Sequence, residues 1–124
     1  MNATLPRRLL GSLLLLAVMA CSDPVAVRDG GMRVIPEGEA FTIQNHSRFL
    51  DLVVLFVDVR SAPLVDLAPC DEWPNPILPG DDLRVPYRDV VGFDGGTERA
   101  EVHWCFLHDE TVVDGGTFRI ELDR

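Results

Sequence analysis

From residue 32 onward, short apolar runs alternate with clusters of Gly, Pro, Asp and Asn, and no long stretch repeats with the helical period. This is the pattern of an all-β domain. Met32 to Ile35 reads as a first strand, closed by Pro36-Glu37-Gly38. Ala40 to Gln44 reads as a second, with Phe41 and Ile43 on one face, before Asn45-His46-Ser47 turns the chain. Leu52 to Arg60 is the longest apolar run: Val53, Leu55, Val57 and Val59 share one face, while Leu52, Val54 and Phe56 share the other. Apolar residues on both faces predict a central strand covered on both sides. Leu78-Pro79-Gly80-Asp81 has the residues of a type II turn, and the strand after it points Leu83, Val85 and Tyr87 inward. Pro86 has no N–H for a ladder, so this strand is expected at an edge. Along Arg99 to His108, Ala100, Val102, Trp104 and Phe106 fall on one face and Glu101, His103, Cys105 and Leu107 on the other. Asp109-Glu110 turns into Thr111 to Val113. Asp114-Gly115-Gly116 is expected to bend or bulge before a last strand carrying Phe118, Ile120 and Leu122.

About seven short strands with turn residues between them resemble the architecture of an immunoglobulin-like antiparallel β-sandwich, expected here over 32–124. The Cys, Trp, Cys hallmark of that family, on the second, third and sixth strands, is missing, because the second strand has no Cys. The segment Ser61 to Gly80 stands out instead, since Pro63, Pro69, Pro74, Pro76 and Pro79 exclude a continuous strand or helix. A loop this long in a compact domain is functional or tied down. It holds Cys70 and Trp73, and a Cys70 to Cys105 bond would lay Trp73 and Ile77 across the outer face of the sheet, over Leu52, Val54 and Phe56.

The first residues add a compartment. Arg7 and Arg8 precede an apolar run, Leu9 to Ala20, too short to span a bilayer, which takes about 20 apolar residues. Val18-Met19-Ala20-Cys21 resembles the lipobox of bacterial lipoproteins. The resemblance implies a signal peptide over 1–20, cleavage after Ala20, and a diacylglyceryl and N-acyl group on Cys21. Two or three acyl chains anchor stably where one binds only reversibly. Ser22 at the next position implies passage to the outer membrane, with the domain facing the periplasm. Residues 21–31, which end in Asp29-Gly30-Gly31, then read as a lipidated tether. In that oxidising compartment the two remaining cysteines, Cys70 and Cys105, are expected to form a bridge.

Charge narrows the partners. The chain contains no Lys, and losing residues 1–20 removes two Arg and no acid, leaving nine Arg against 20 acids, a formal −11. Such a surface disfavours nucleic acid and anionic headgroups. The expected partners are the membrane, through the lipid, and an envelope protein. Asp-Gly-Gly recurs at 29–31, 94–96 and 114–116, where glycine supplying positive dihedrals is a sufficient explanation without calcium. Asn45-His46-Ser47 fits a glycosylation acceptor, which carries little meaning for a bacterial lipoprotein.

Glu101 to His108 gathers a Trp, two His and a Cys. Cys105-Phe106-Leu107-His108 has the Cys-x-x-His spacing that resembles cupredoxins, which implies a copper-binding electron-transfer protein with His46, Cys105 and His108 as ligands. No Met follows His108, and Cys70 would have no partner in that arrangement. No nucleophile elbow, His-Glu-x-x-His or phosphate-binding Gly loop occurs, so no catalytic residue and no cofactor is assigned. The leading expectation is a binding or structural module, with Trp73, Pro74 and Phe93 as its contact surface, since aromatic and Pro-rich segments suit recognition.

Overall fold

In a computed structural model the described residues are 27–29 and 31–123, and they form seven strands: β1 Val27–Asp29, β2 Met32–Glu37, β3 Ala40–Asn45, β4 Asp51–Asp58, β5 Asp82–Pro86, β6 Arg99–His108 and β7 Thr111–Glu121. The expected signal peptide and Cys21 lie outside the described residues. All strand pairs are antiparallel, in a four-stranded sheet of order β1-β2-β3-β5 and a three-stranded sheet of order β4-β6-β7.

The two sheets share one hydrophobic core. Alternation places Met32 and Val34 of β2 and Phe41 and Ile43 of β3 against Leu52 and Phe56 of β4 and Val102, Trp104 and Phe106 of β6. Phe41 stacks on Phe56 with ring centroids 4.4 Å apart, and Tyr87 meets Phe41 edge-on at 4.8 Å. Tyr87 itself lies just past β5, in a short 3-10 turn, where its hydroxyl accepts a hydrogen bond from Asp123 N at 2.8 Å.

Four expectations change. Val27–Asp29 pairs with Met32–Val34, so part of the predicted tether belongs to the sheet. β4 is at the border of its sheet rather than central, and β6 takes the middle. Both faces of β4 are nevertheless covered, and its outer edge is partly closed by Ile77, which exchanges two main-chain hydrogen bonds with Leu52 at 2.7 and 2.9 Å, and by Val91, bonded to Phe56 O and Asp58 N. Long apolar runs report covered faces and are silent about position within the sheet.

Third, Leu52 and Phe56 are buried in the main core, with Val54 packed at its side, and Ile77 joins them there. The loop covers the opposite face, beside Val53. Register decides this, since Val53 stands directly across from Cys105 and so shares its face. Fourth, β7 is continuous through Asp114-Gly115-Gly116, and the register shift lies at Val113, between the pairs Phe106↔Asp114 and Leu107↔Val112. Gly95, Gly96, Gly115 and Gly116 have no positive φ. Gly80 does, at 81°, in the expected type II turn, where Asp81 N donates to Leu78 O at 3.0 Å.

Candidate functional site

The stapled loop forms a second, small apolar cluster on the outer face of the three-stranded sheet. Cys70, in a 3-10 turn over Cys70–Glu72, is bonded to Cys105 of β6, with Cα atoms 6.3 Å apart. Val53, Cys105 and Leu107 are buried beneath, and Cys70 and Trp73 close over them. Five prolines prevent the segment from folding regularly by itself, so the bridge supplies the fixation that a ladder would otherwise give. Trp73 is held by its indole, whose Nε1 donates to Ala68 O at 2.8 Å.

Beside Trp73 the same face becomes polar. The His103 ring stands edge-on to Trp73, with centroids 6.5 Å apart, its Nε2 is 2.9 Å from Glu101 Oε1, and its Nδ1 is 3.3 Å from Thr117 Oγ1. Arg119 Nε is 3.8 Å from Glu101 Oε2. Outward positions of β6 and β7 therefore form a row of alternating hydrogen-bonding groups next to an aromatic edge, suited to polar contacts and to stacking.

Of the residues proposed for contact, Trp73 is half-buried on this outer cluster, while Phe93 is half-buried against the core between the sheets. They belong to different packing units. Pro74 is exposed and lines a cleft bordered by β4 and β5.

The copper ligand set is not brought together. The Cys105 sulfur is consumed by the bond to Cys70, leaving no thiolate to meet a metal. His46 follows β3 of the other sheet and pairs with Gln44 Oε1 at 3.2 Å; His108, at the end of β6, is exposed and lies 3.5 Å from Asp109. Among the described residues no group of three or more His, Cys, Asp or Glu is placed to hold a metal ion.

Two polar centres escaped the reading of the sequence. Asp58 is buried at the end of β4, where its carboxylate accepts hydrogen bonds from Arg60 N at 2.9 Å, from Arg60 Nε and Nη2, and from Thr97 Oγ1 at 2.7 Å. Arg60 Nη2 also donates to Asp94 Oδ1 at 2.7 Å, and Gly96 N donates to the same oxygen at 2.7 Å. Hydrogen bonds from Arg60, opposed by burial and helped by Thr97, hold the Asp58 carboxyl well below the usual carboxylate range. Arg60 and Gly96 likewise lower Asp94. This network fastens the 92–98 connection onto the end of β4. One signal was legible: period two carries Asp58 onto the Leu52, Val54, Phe56 face, although it carries the exposed Arg60 there as well, so only the tertiary structure decides which of the two is buried.

Asn45 is the second centre. Buried at the end of β3, it donates through Nδ2 to Leu50 O at 2.8 Å and Ile77 O at 2.9 Å and accepts from Ser47 N at 2.9 Å. It thus ties three segments together, and its amide is enclosed rather than open to a glycan.

Comparison with protein-family models, curated proteins and solved structures gives no match. The geometry therefore carries the functional reading by itself. Among the described residues both long connections are fixed on the sheets, one by a covalent bridge and one by a buried carboxylate.

Proposed function

We propose that the protein is a small cell-envelope lipoprotein, anchored through Cys21 in the outer membrane and facing the periplasm, whose immunoglobulin-like sandwich serves as a binding or structural module rather than an enzyme. Strand order supports the immunoglobulin-like reading. That family places strands A, B, E and D in one sheet and C, F and G in the other. Here β2, β3 and β5 take the places of A, B and E, and β4, β6 and β7 those of C, F and G. The stapled loop occupies the chain position of strand D, and β1 adds a strand beyond A.

The observation that carries the binding role is the immobilisation of the two long connections, by Cys70–Cys105 and by Asp58 with Arg60, Asp94 and Thr97. Fixed loops on a rigid scaffold present a surface with little ordering entropy left to lose on association. The bridge also fits an oxidising compartment. The anchor is tested by metabolic labelling with palmitate: the wild-type chain should incorporate label and Cys21→Ser should not, whereas equal labelling would refute it. Binding is tested by capture of solubilised envelope proteins on the immobilised domain. A partner retained by the wild type and lost by Trp73→Ala would place the contact on the stapled loop, while an unchanged partner list would exclude that loop.

A further inference from the structure

The cleft between the two sheets at the β4 and β5 side is open, and its walls are those of a missing strand. β5 borders the larger sheet, and no described residue bonds to its outer edge. Which main-chain groups face outward follows from the register. Asn45 N donates to Asp81 O at 3.0 Å and Tyr87 N to Glu39 O at 2.9 Å, so odd-numbered residues here turn their N–H and C=O groups toward β3. Asp82 and Arg84 therefore aim theirs away from the sheet. Pro86 offers only a carbonyl and limits the usable edge to those two residues.

Beside that edge lies a cleft of about 290 Å³ with Val54 and Phe56 on one wall and Leu83 and Val85 on the other, closed at one end by Pro74 and Asn75. The loop avoids this space for a local reason. Ile77 pairs with Leu52, so an antiparallel continuation would set Asn75 against Val54. Asn75 instead lies between two prolines with φ at +61°, which turns the chain off the strand path.

We propose that this cleft binds an extended segment of a partner polypeptide, which adds a strand to β5 and completes the larger sheet. Main-chain groups of Asp82 and Arg84 would pair with the segment, and every second side chain would enter the apolar cleft. The remaining side chains would face solvent beside the exposed side chains of Asp82 and Arg84. Charge complementarity then selects the sequence: a cation opposite Asp82, an apolar residue next to it, and an anion opposite Arg84, whose Nη2 donates to Gly38 O at 2.9 Å in the domain by itself. Asp89 lines the cleft as well, which favours a cationic flank. This inference rests on the binding-module reading and names the partner class for it.

The test titrates the isotopically labelled domain with the peptide acetyl-Thr-Val-Glu-Val-Lys-Val-Thr-amide and follows amide resonances. Shifts centred on Asp82–Val85 and Val54–Phe56 are expected, with binding about tenfold weaker or worse for a control in which the three Val are Ser, since apolar burial would supply most of the affinity. Arg84→Pro removes an outward N–H while leaving the β3 ladder intact, and should abolish the response in a domain whose circular dichroism is unchanged. If that variant loses its fold, Val54→Glu tests the same cleft from the other wall. Equal binding of the serine peptide, shifts centred elsewhere, or no shifts would overturn the inference. So would a dimer in sedimentation that Arg84→Pro dissociates, because the occupant would then be a second copy. An envelope partner still captured by Arg84→Pro would overturn this site and leave the module reading standing.

Discussion

Gly116 stands opposite Trp104 in the β6–β7 ladder, and a Cβ placed on it would lie 2.9 Å from Cζ2 of the indole. The glycine is there for close approach of a ring, since its φ is ordinary. Neither the ring, which is buried in the core, nor the ladder can retreat easily. Gly116→Ala should therefore lower stability by about 1–3 kcal/mol in urea unfolding. Gly95→Ala, with open space around its Cβ, should stay within about 0.5 kcal/mol of the wild type.

The Cys70–Cys105 bridge spans a sequence separation of 35 residues, and removing it by Cys70→Ala with Cys105→Ala should destabilise the domain by about 4 kcal/mol in the chain-entropy model. Trp73 fluorescence should shift toward that of a solvated indole, because its anchoring cluster is built around the bridge. An unchanged unfolding midpoint would show that the loop is held by packing alone.

Asp58 ties acid stability to one site. Its folded-state pKa is depressed, so its contribution is fully present above the ordinary carboxylate range and is lost as pH falls toward the folded value. Asp58→Asn should lose about 1–3 kcal/mol at neutral pH, leaving Thr97 and Arg60 with a weaker acceptor. The gap between variant and wild type should narrow as pH is lowered below about 4. A gap that is constant down to strong acid would mean that the carboxylate charge contributes nothing.

The β6–β7 hairpin turns on Asp109 and Glu110, with φ of 49° and 65°, between the paired residues His108 and Thr111. Two consecutive left-handed residues are the geometry that Asn-Gly adopts most readily. Asp109→Asn with Glu110→Gly should raise stability by about 1 kcal/mol, read as an increased unfolding midpoint at constant m-value.

Asn45→Ala should cost about 2–4 kcal/mol, since it removes three hydrogen bonds and leaves the carbonyls of Leu50 and Ile77 without that donor. Hydrogen exchange should accelerate at Ser47, Leu52 and Ile77 together, because one side chain secures all three segments.

Alternation along single strands was enough for the all-β character and the inward Trp104 and Phe106, Pro86 for the edge position of β5, and the even count of cysteines left in the domain for the bridged pair. Those properties are local or follow from composition. Period two says which residues share a face, and proline states which strand cannot be interior. The tertiary structure alone decided which face of β4 the loop covers, because that depends on the Val53↔Cys105 register and on Ile77 entering the core. It alone gave Gly115 and Gly116 their packing role, joined Asp58 to Asp94 and Thr97, and separated His46 from Cys105. Each of these is a contact between segments far apart in the chain, fixed by how strands pair and sheets pack, and no spacing within one segment encodes it.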